Sequence, residues 1–204
     1  MVHLIWKDIF IQKRMMLLYS AIIAFYFWME IPLVGVVFMT SASFIMNAFY
    51  FDEKDNINIL LNSLPYTRKL IVTSKYIGAI AFTVAVVGLT ILGNLIIGGV
   101  DMQFTLKNAM QAFGLVLVWQ AVIFPFSYKF KQQYLLIGVV VFYVIAISLY
   151  NIVTYGFKEQ SAKFLHWITS LPELQLYSFS TLILLLLYWG SWRLSICIYE
   201  RKVF

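Results

Sequence analysis

"YIGAIAFTVAVVGLTILGNLIIGGV", residues 76–100, runs from end to end without an acid or a base. At about 1.5 Å per residue, a helix of that length covers about 37 Å, more than the roughly 30 Å of hydrocarbon in a bilayer. The stretch therefore reads as a transmembrane helix, and the same reading spreads outward from it. Uncharged runs recur at 15–29, 31–51, 108–128, 132–157 and 174–192. All but the first reach the roughly 17–25 residues that a crossing needs. The first gives only roughly 22 Å, but Lys13 and Arg14 can lengthen it by burying their stems and carrying their charges to the interface. A re-entrant hairpin made from the first two runs is the competing reading, and it too begins and ends on one side of the membrane.

The expected fold is all-α: one polytopic membrane domain over residues 1–204, with six transmembrane helices near 15–29, 31–51, 76–100, 108–128, 132–157 and 174–196. Charged residues make up 12% of the chain, against about 25% in a soluble domain, which sets aside an ordinary soluble fold. No repeat and no Ser/Gly linker divides the sequence. The opening "MVHLIWKDIFIQKR" lacks the short apolar core and small-residue cleavage site of a signal peptide. Cys197 is the single cysteine, so neither an intramolecular disulfide nor a cysteine-based metal site is expected.

The net charge of +6 could point to nucleic acid, but topology explains the bases better. With six spans, one side carries Lys7, Lys13, Arg14, Lys54, Arg68, Lys69, Lys75, Lys129, Lys131, Arg193, Arg201 and Lys202. Only Lys107, Lys158 and Lys163 fall opposite. Short cytoplasmic loops hold the excess of Lys and Arg, so both termini are expected in the cytoplasm of a cell-membrane protein.

Upstream of the first span, residues 2–14 set Val2, Ile5, Trp6, Phe10 and Ile11 against Lys7, Asp8, Lys13 and Arg14. The pattern predicts an amphipathic elbow helix in the headgroup plane, or else a ragged polar start to the first span. "MEIP", with Glu30 and Pro32, predicts a tight outer turn. "DMQFTLKNAMQ", residues 101–111, is a second short amphipathic candidate, and Pro125 is expected to kink or end the fourth span.

The most polar stretch is "DEKDNINILLNSLPYTRKLIVTSKY", residues 52–76. Within it Ile57, Leu60, Leu61 and Leu64 fall at i, i+3, i+4 and i+7, which predicts a short amphipathic helix over 55–64. Pro65 limits that helix, and the hydroxyl of Thr67 can cap a new one that runs on into residues 76–100. Periodicity leaves two uses open for the leucines: resting on the bilayer interface, or docking in a groove of a soluble partner.

Phosphate-loop and H-E-x-x-H signatures are absent, and the six runs hold no ionisable side chain of the kind an ion-coupled carrier needs. The chain is expected to be no enzyme and to bind no metal. Asn47, Asn94 and Gln120 are amides inside the spans, candidates for a translocation path or for gluing helices together. Gly88, Gly93 and Gly98 recur every five residues and read as packing allowances. Ala81 and Ala85 are a better close-contact pair.

The start "WKDI" at 6–9, the exit "FDEKDN" at 51–56 and "LPYTRKLIVTSKYI" at 64–77 resemble the permease subunits of ABC-2-type ATP-binding cassette transporters. The layout is most similar to small six-span bacterial permeases that work with a separate ATPase, including exporters of bacteriocins and amphipathic peptides. The resemblance covers the whole chain in span layout but only residues 50–80 in motif. It implies that 55–64 is a coupling helix seated on a cytoplasmic ATPase through Asp55, Ile57, Leu60, Leu61 and Leu64, with Pro65, Arg68 and Lys75 fixing the return into the membrane. A smaller second contact is implied for Lys129 and Lys131 in "YKFKQQY". ATP and Mg would sit on the partner, two ATPases serving two permeases in contact with membrane lipid. The expected function is ATP-driven export of a hydrophobic or amphipathic peptide or lipid-like compound. The alternative is a non-transporting immunity, sensor or scaffold protein that recruits a cytoplasmic partner.

Overall fold

In the computed structural model, residues 2–29, 32–54, 57–97, 102–135 and 172–202 are described, with the single positions 137, 144 and 148. Seven helices are assigned among them: α1 Val2–Ile11, α2 Lys13–Met29, α3 Leu33–Lys54, α4 Ile57–Ser63, α5 Arg68–Ile97, α6 Met102–Lys129 and α7 Glu173–Arg201. Four are long and apolar enough to cross a membrane, and a fifth crossing is reached if α1 and α2 count as one bent span. Nearly all of the span expected over 132–157 lies outside the described residues.

Local hydrogen bonds mark where α3 and α5 begin. The Pro32 carbonyl accepts from the amides of Gly35 and Val36 and opens α3. Thr67 caps α5, its hydroxyl accepting from the Leu70 amide at 3.3 Å. From that cap α5 runs unbroken into the uncharged stretch. Residues 102–111, expected as a separate amphipathic piece, are instead the first turns of α6, and α6 continues through Pro125 to Lys129. A single base at Lys107 marks polarity but does nothing to interrupt a helical backbone.

α3 and α6 pack along each other, with α5 against both. α7 lies on α5 and α6, and α1 crosses α5 and α3. One apolar cluster gathers Phe44, Phe49, Ile71, Tyr76, Phe124 and Tyr128 toward the end where α4 sits. Phe44 and Phe82 stack there with ring centroids 3.8 Å apart, and Tyr19 meets both edge-on. A second cluster joins Tyr26, Val36, Val37, Val86, Ala112 and Val116 at the other end. Gly93 matters in this second region, because a Cβ there would overlap the ring of Phe27. Gly88 faces open space, Ala81 and Ala85 are exposed within the single chain, and Gly98 lies outside the described residues.

Between α1 and α2 the chain turns by 71° at Gln12. Three hydrogen bonds hold that corner: Asn47 donates to the Tyr19 hydroxyl at 2.9 Å, Tyr19 donates to Gln12 Oε1 at 3.0 Å, and Gln12 Nε2 donates to the Phe44 carbonyl at 3.2 Å. The Gln12 carbonyl accepts from Met15 and Met16 and starts α2.

Candidate functional site: a short exposed helix above a buried ion network

The end of the bundle that holds α4 also holds the chain's buried charges. α1 sends two of its polar side chains into the bundle and leaves two of the expected apolar ones outside. Asp8 is buried and Lys7 partly so, whereas Trp6 and Phe10 are exposed. The reason lies across the helix pair. Lys7 Nζ is 2.8 Å from Asp52 and 3.0 Å from Asp8, and Lys75 Nζ is 2.6 Å from Asp52 and 3.4 Å from Asp8. Two acids and two bases from α1, α3 and α5 thus form one neutral cluster. Lys75 donates further to the Ala48 carbonyl at 3.2 Å and lies 4.9 Å from the centre of the Phe49 ring. Its donors are therefore well used, which a buried ammonium requires.

Asp52 was expected to mark the exit from the second span. Instead it is 1% exposed, and α3 continues past it to Lys54. The next acid, Glu53, reaches outward and accepts from the Gln132 amide at 2.7 Å, while Gln132 Nε2 donates to the Met46 carbonyl. The segment after α6 is thereby tied to the end of α3.

α4 is one residue shorter at its C-terminus than expected, and its N-terminal neighbours Asp55 and Asn56 lie outside the described residues. Ile57, Leu60, Leu61 and, just past the helix end, Leu64 fall on a stripe of about 100° at helical spacing, and the bundle's surface divides that stripe. Leu61 is 3% exposed and belongs to the first apolar cluster, with Ile57 packed against it. Leu60 and Leu64 are 60% and 42% exposed. Leu61 is thus an internal anchor, whereas Leu60 and Leu64 present apolar surface outward. Pro65 is exposed in the turn that follows.

The two bases implicated in the return to the membrane are engaged inside the chain. Arg68 Nη1 donates to the carbonyls of Glu200 and Lys202 at 2.6 and 3.1 Å, placing its charge at the C-terminal end of α7, where a helix dipole favours a cation. Lys75 is in the ion cluster. Lys129 and Lys131 are both exposed.

The three interior amides join helices. Asn47 belongs to the Gln12 corner, and Asn94 bonds the Tyr26 hydroxyl at 3.4 Å. Gln120 donates to Thr83 at 3.2 Å and accepts from Tyr188 at 3.1 Å. Tyr76 meets Ser191 and Ser195 at 2.7 Å each, and Trp192 Nε1 donates to Thr73 at 3.1 Å, completing the seam between α5 and α7. Inside an apolar slab such bonds hold helices in register.

The ion cluster escaped sequence reasoning. Its only trace was that "WKDI", "FDEKD" and "TSKY" each put charge next to an uncharged run. A family model described as "ABC-2 family transporter protein" matches residues 3–200. No curated protein and no solved structure matches the chain.

Proposed function

This chain belongs to the ABC-2 transporter family, and from that premise we propose that it is the permease half of an ATP-driven exporter, two copies serving two cytoplasmic ATPase subunits. The chain is a membrane transport component, and ATP and Mg belong to the partner. α4 is the element on which the ATPase sits. The observation that carries this reading is the division of its apolar stripe: Leu60 and Leu64 face outward, while Leu61 and Ile57 hold the helix to the bundle. A partner gripping the outer edge therefore pulls on α3 and α5 through the inner one. The basic end of the bundle then faces the cytoplasm, with Lys129 and Lys131 available for the smaller contact.

Asn47, Asn94 and Gln120 are occupied between this chain's own helices. The translocation path accordingly lies between the two permeases, along apolar faces such as that of α7, where Leu182, Leu186 and Trp189 are exposed. A surface of that kind suits a hydrophobic or amphipathic peptide or a lipid-like compound.

The test is co-purification from native membranes. The wild-type chain should retain a nucleotide-hydrolysing subunit through detergent extraction, and the double variant Leu60→Asp, Leu64→Asp should lose it with its own thermal midpoint unchanged. Undiminished retention by the variant, or no such subunit with the wild type, overturns the assignment.

A further inference from the structure

A groove of about 620 Å³ opens between the ends of α6 and α7. Its walls are apolar, with Phe126 from α6 and Leu194 and Ile198 from α7. One turn further along the same two helices, Lys129, Arg201 and Lys202 stand at its mouth, and no acid lines it. Leu194, Ile198 and Arg201 follow at i, i+4 and i+7, so one stripe of α7 passes from apolar to cationic toward the helix end, and Phe126 and Lys129 repeat that order on α6.

We propose that this groove binds an anionic phospholipid, with the headgroup phosphate among Lys129, Arg201 and Lys202 and the upper acyl chains along Phe126, Leu194 and Ile198. Among the described residues, neither Lys129 nor Arg201 has a carboxylate within ion-pair distance. Lys202 is held at the mouth by its bond to the Tyr128 carbonyl at 3.1 Å. Phe126 and Leu194 are about half exposed, which gives the groove an open apolar side toward the surrounding hydrocarbon. This order of chemistry along the axis, oil-like inside and cationic at the rim, fits an amphiphile with an anionic head. A soluble anion would leave the apolar walls bare, and a neutral lipid would leave the cations unmatched. Basic pockets between transmembrane helices recognise anionic headgroups in this way, each base contributing about fivefold in affinity.

The full chain in detergent is titrated with phosphatidylglycerol or with phosphatidylcholine of identical acyl chains, and bound lipid is counted by native mass spectrometry. The wild type should hold phosphatidylglycerol at least tenfold more tightly. Lys129→Gln combined with Arg201→Gln should bring the two lipids within about twofold, whereas Lys131→Gln, which removes a neighbouring charge outside the groove, should leave the preference intact. A second readout needs no variant at all. Cys197 lines the groove and is exposed, so phosphatidylglycerol should slow its alkylation by maleimide several-fold more than phosphatidylcholine does. The proposal is overturned if the wild type shows no preference, if Lys131→Gln abolishes it equally, or if glycerol phosphate at matching concentration displaces the lipid. It is likewise overturned if Cys197 is shielded only in a lipid-free dimer, which would make a second copy the occupant.

Discussion

Asp52 holds two ammonium groups, at 2.6 and 2.8 Å, in a place with almost no access to water. Asp52→Asn would leave Lys7 and Lys75 facing Asp8 alone, an uncompensated buried positive charge. The expected loss is about 3–5 kcal/mol, seen as a lowered thermal midpoint in detergent. Replacing Asp52 and Lys75 together by Leu should cost much less, since the remaining Lys7 and Asp8 still pair. At Gly93 the expectation is steric: Gly93→Ala should destabilise by about 1–3 kcal/mol, and Phe27→Ala in the same chain should recover part of that loss. The Thr67 cap was legible in the sequence because capping is decided within four residues. The partners of Lys75 were not, because Lys7, Asp8 and Asp52 come from distant stretches. Nothing in one stretch says which distant charge it meets.

For α4 the sequence carried the period but not the depth. Four apolar residues at helical spacing define a face, and only the packed bundle decides which edge of that face is inside. Leu61→Ala should therefore lower stability by about 2–5 kcal/mol, while Leu60→Asp should change the thermal midpoint little. Parallel melts of the two variants check this. α1 makes the same point in reverse. Its polar positions were legible, yet they turn inward because the counter-charges on α3 and α5 are there, and Trp6 and Phe10 are left outside. α6 absorbed residues 102–111 because hydropathy marks where a helix changes surroundings, whereas only backbone chemistry or a partner ends it.

At the scale of the molecule, the all-helical membrane character was plain from uncharged runs alone, since an apolar slab admits few other backbones. The arrangement of the helices was not, because helix contacts depend on interhelix bonds such as Tyr76 to Ser191, which no periodicity reveals. Orientation is open to direct measurement. In a Cys197→Ala background, Ser63→Cys and Lys131→Cys should react with a membrane-impermeant maleimide only from the cytoplasmic face, and Pro172→Cys only from the opposite one. Labelling of position 63 and position 172 from one side would contradict the basic-end assignment. The unbroken α5 has a mechanical consequence. It is 30 residues long, about 45 Å, and it is gripped at Lys75 by two carboxylates, Asp8 and Asp52. That grip is about 10 Å from the Arg68 end and about 33 Å from the Ile97 end. A rod pinned so near one tip acts as an unequal-armed lever: a 1 Å sideways nudge at the short arm swings the far tip by about 3 Å in the opposite direction.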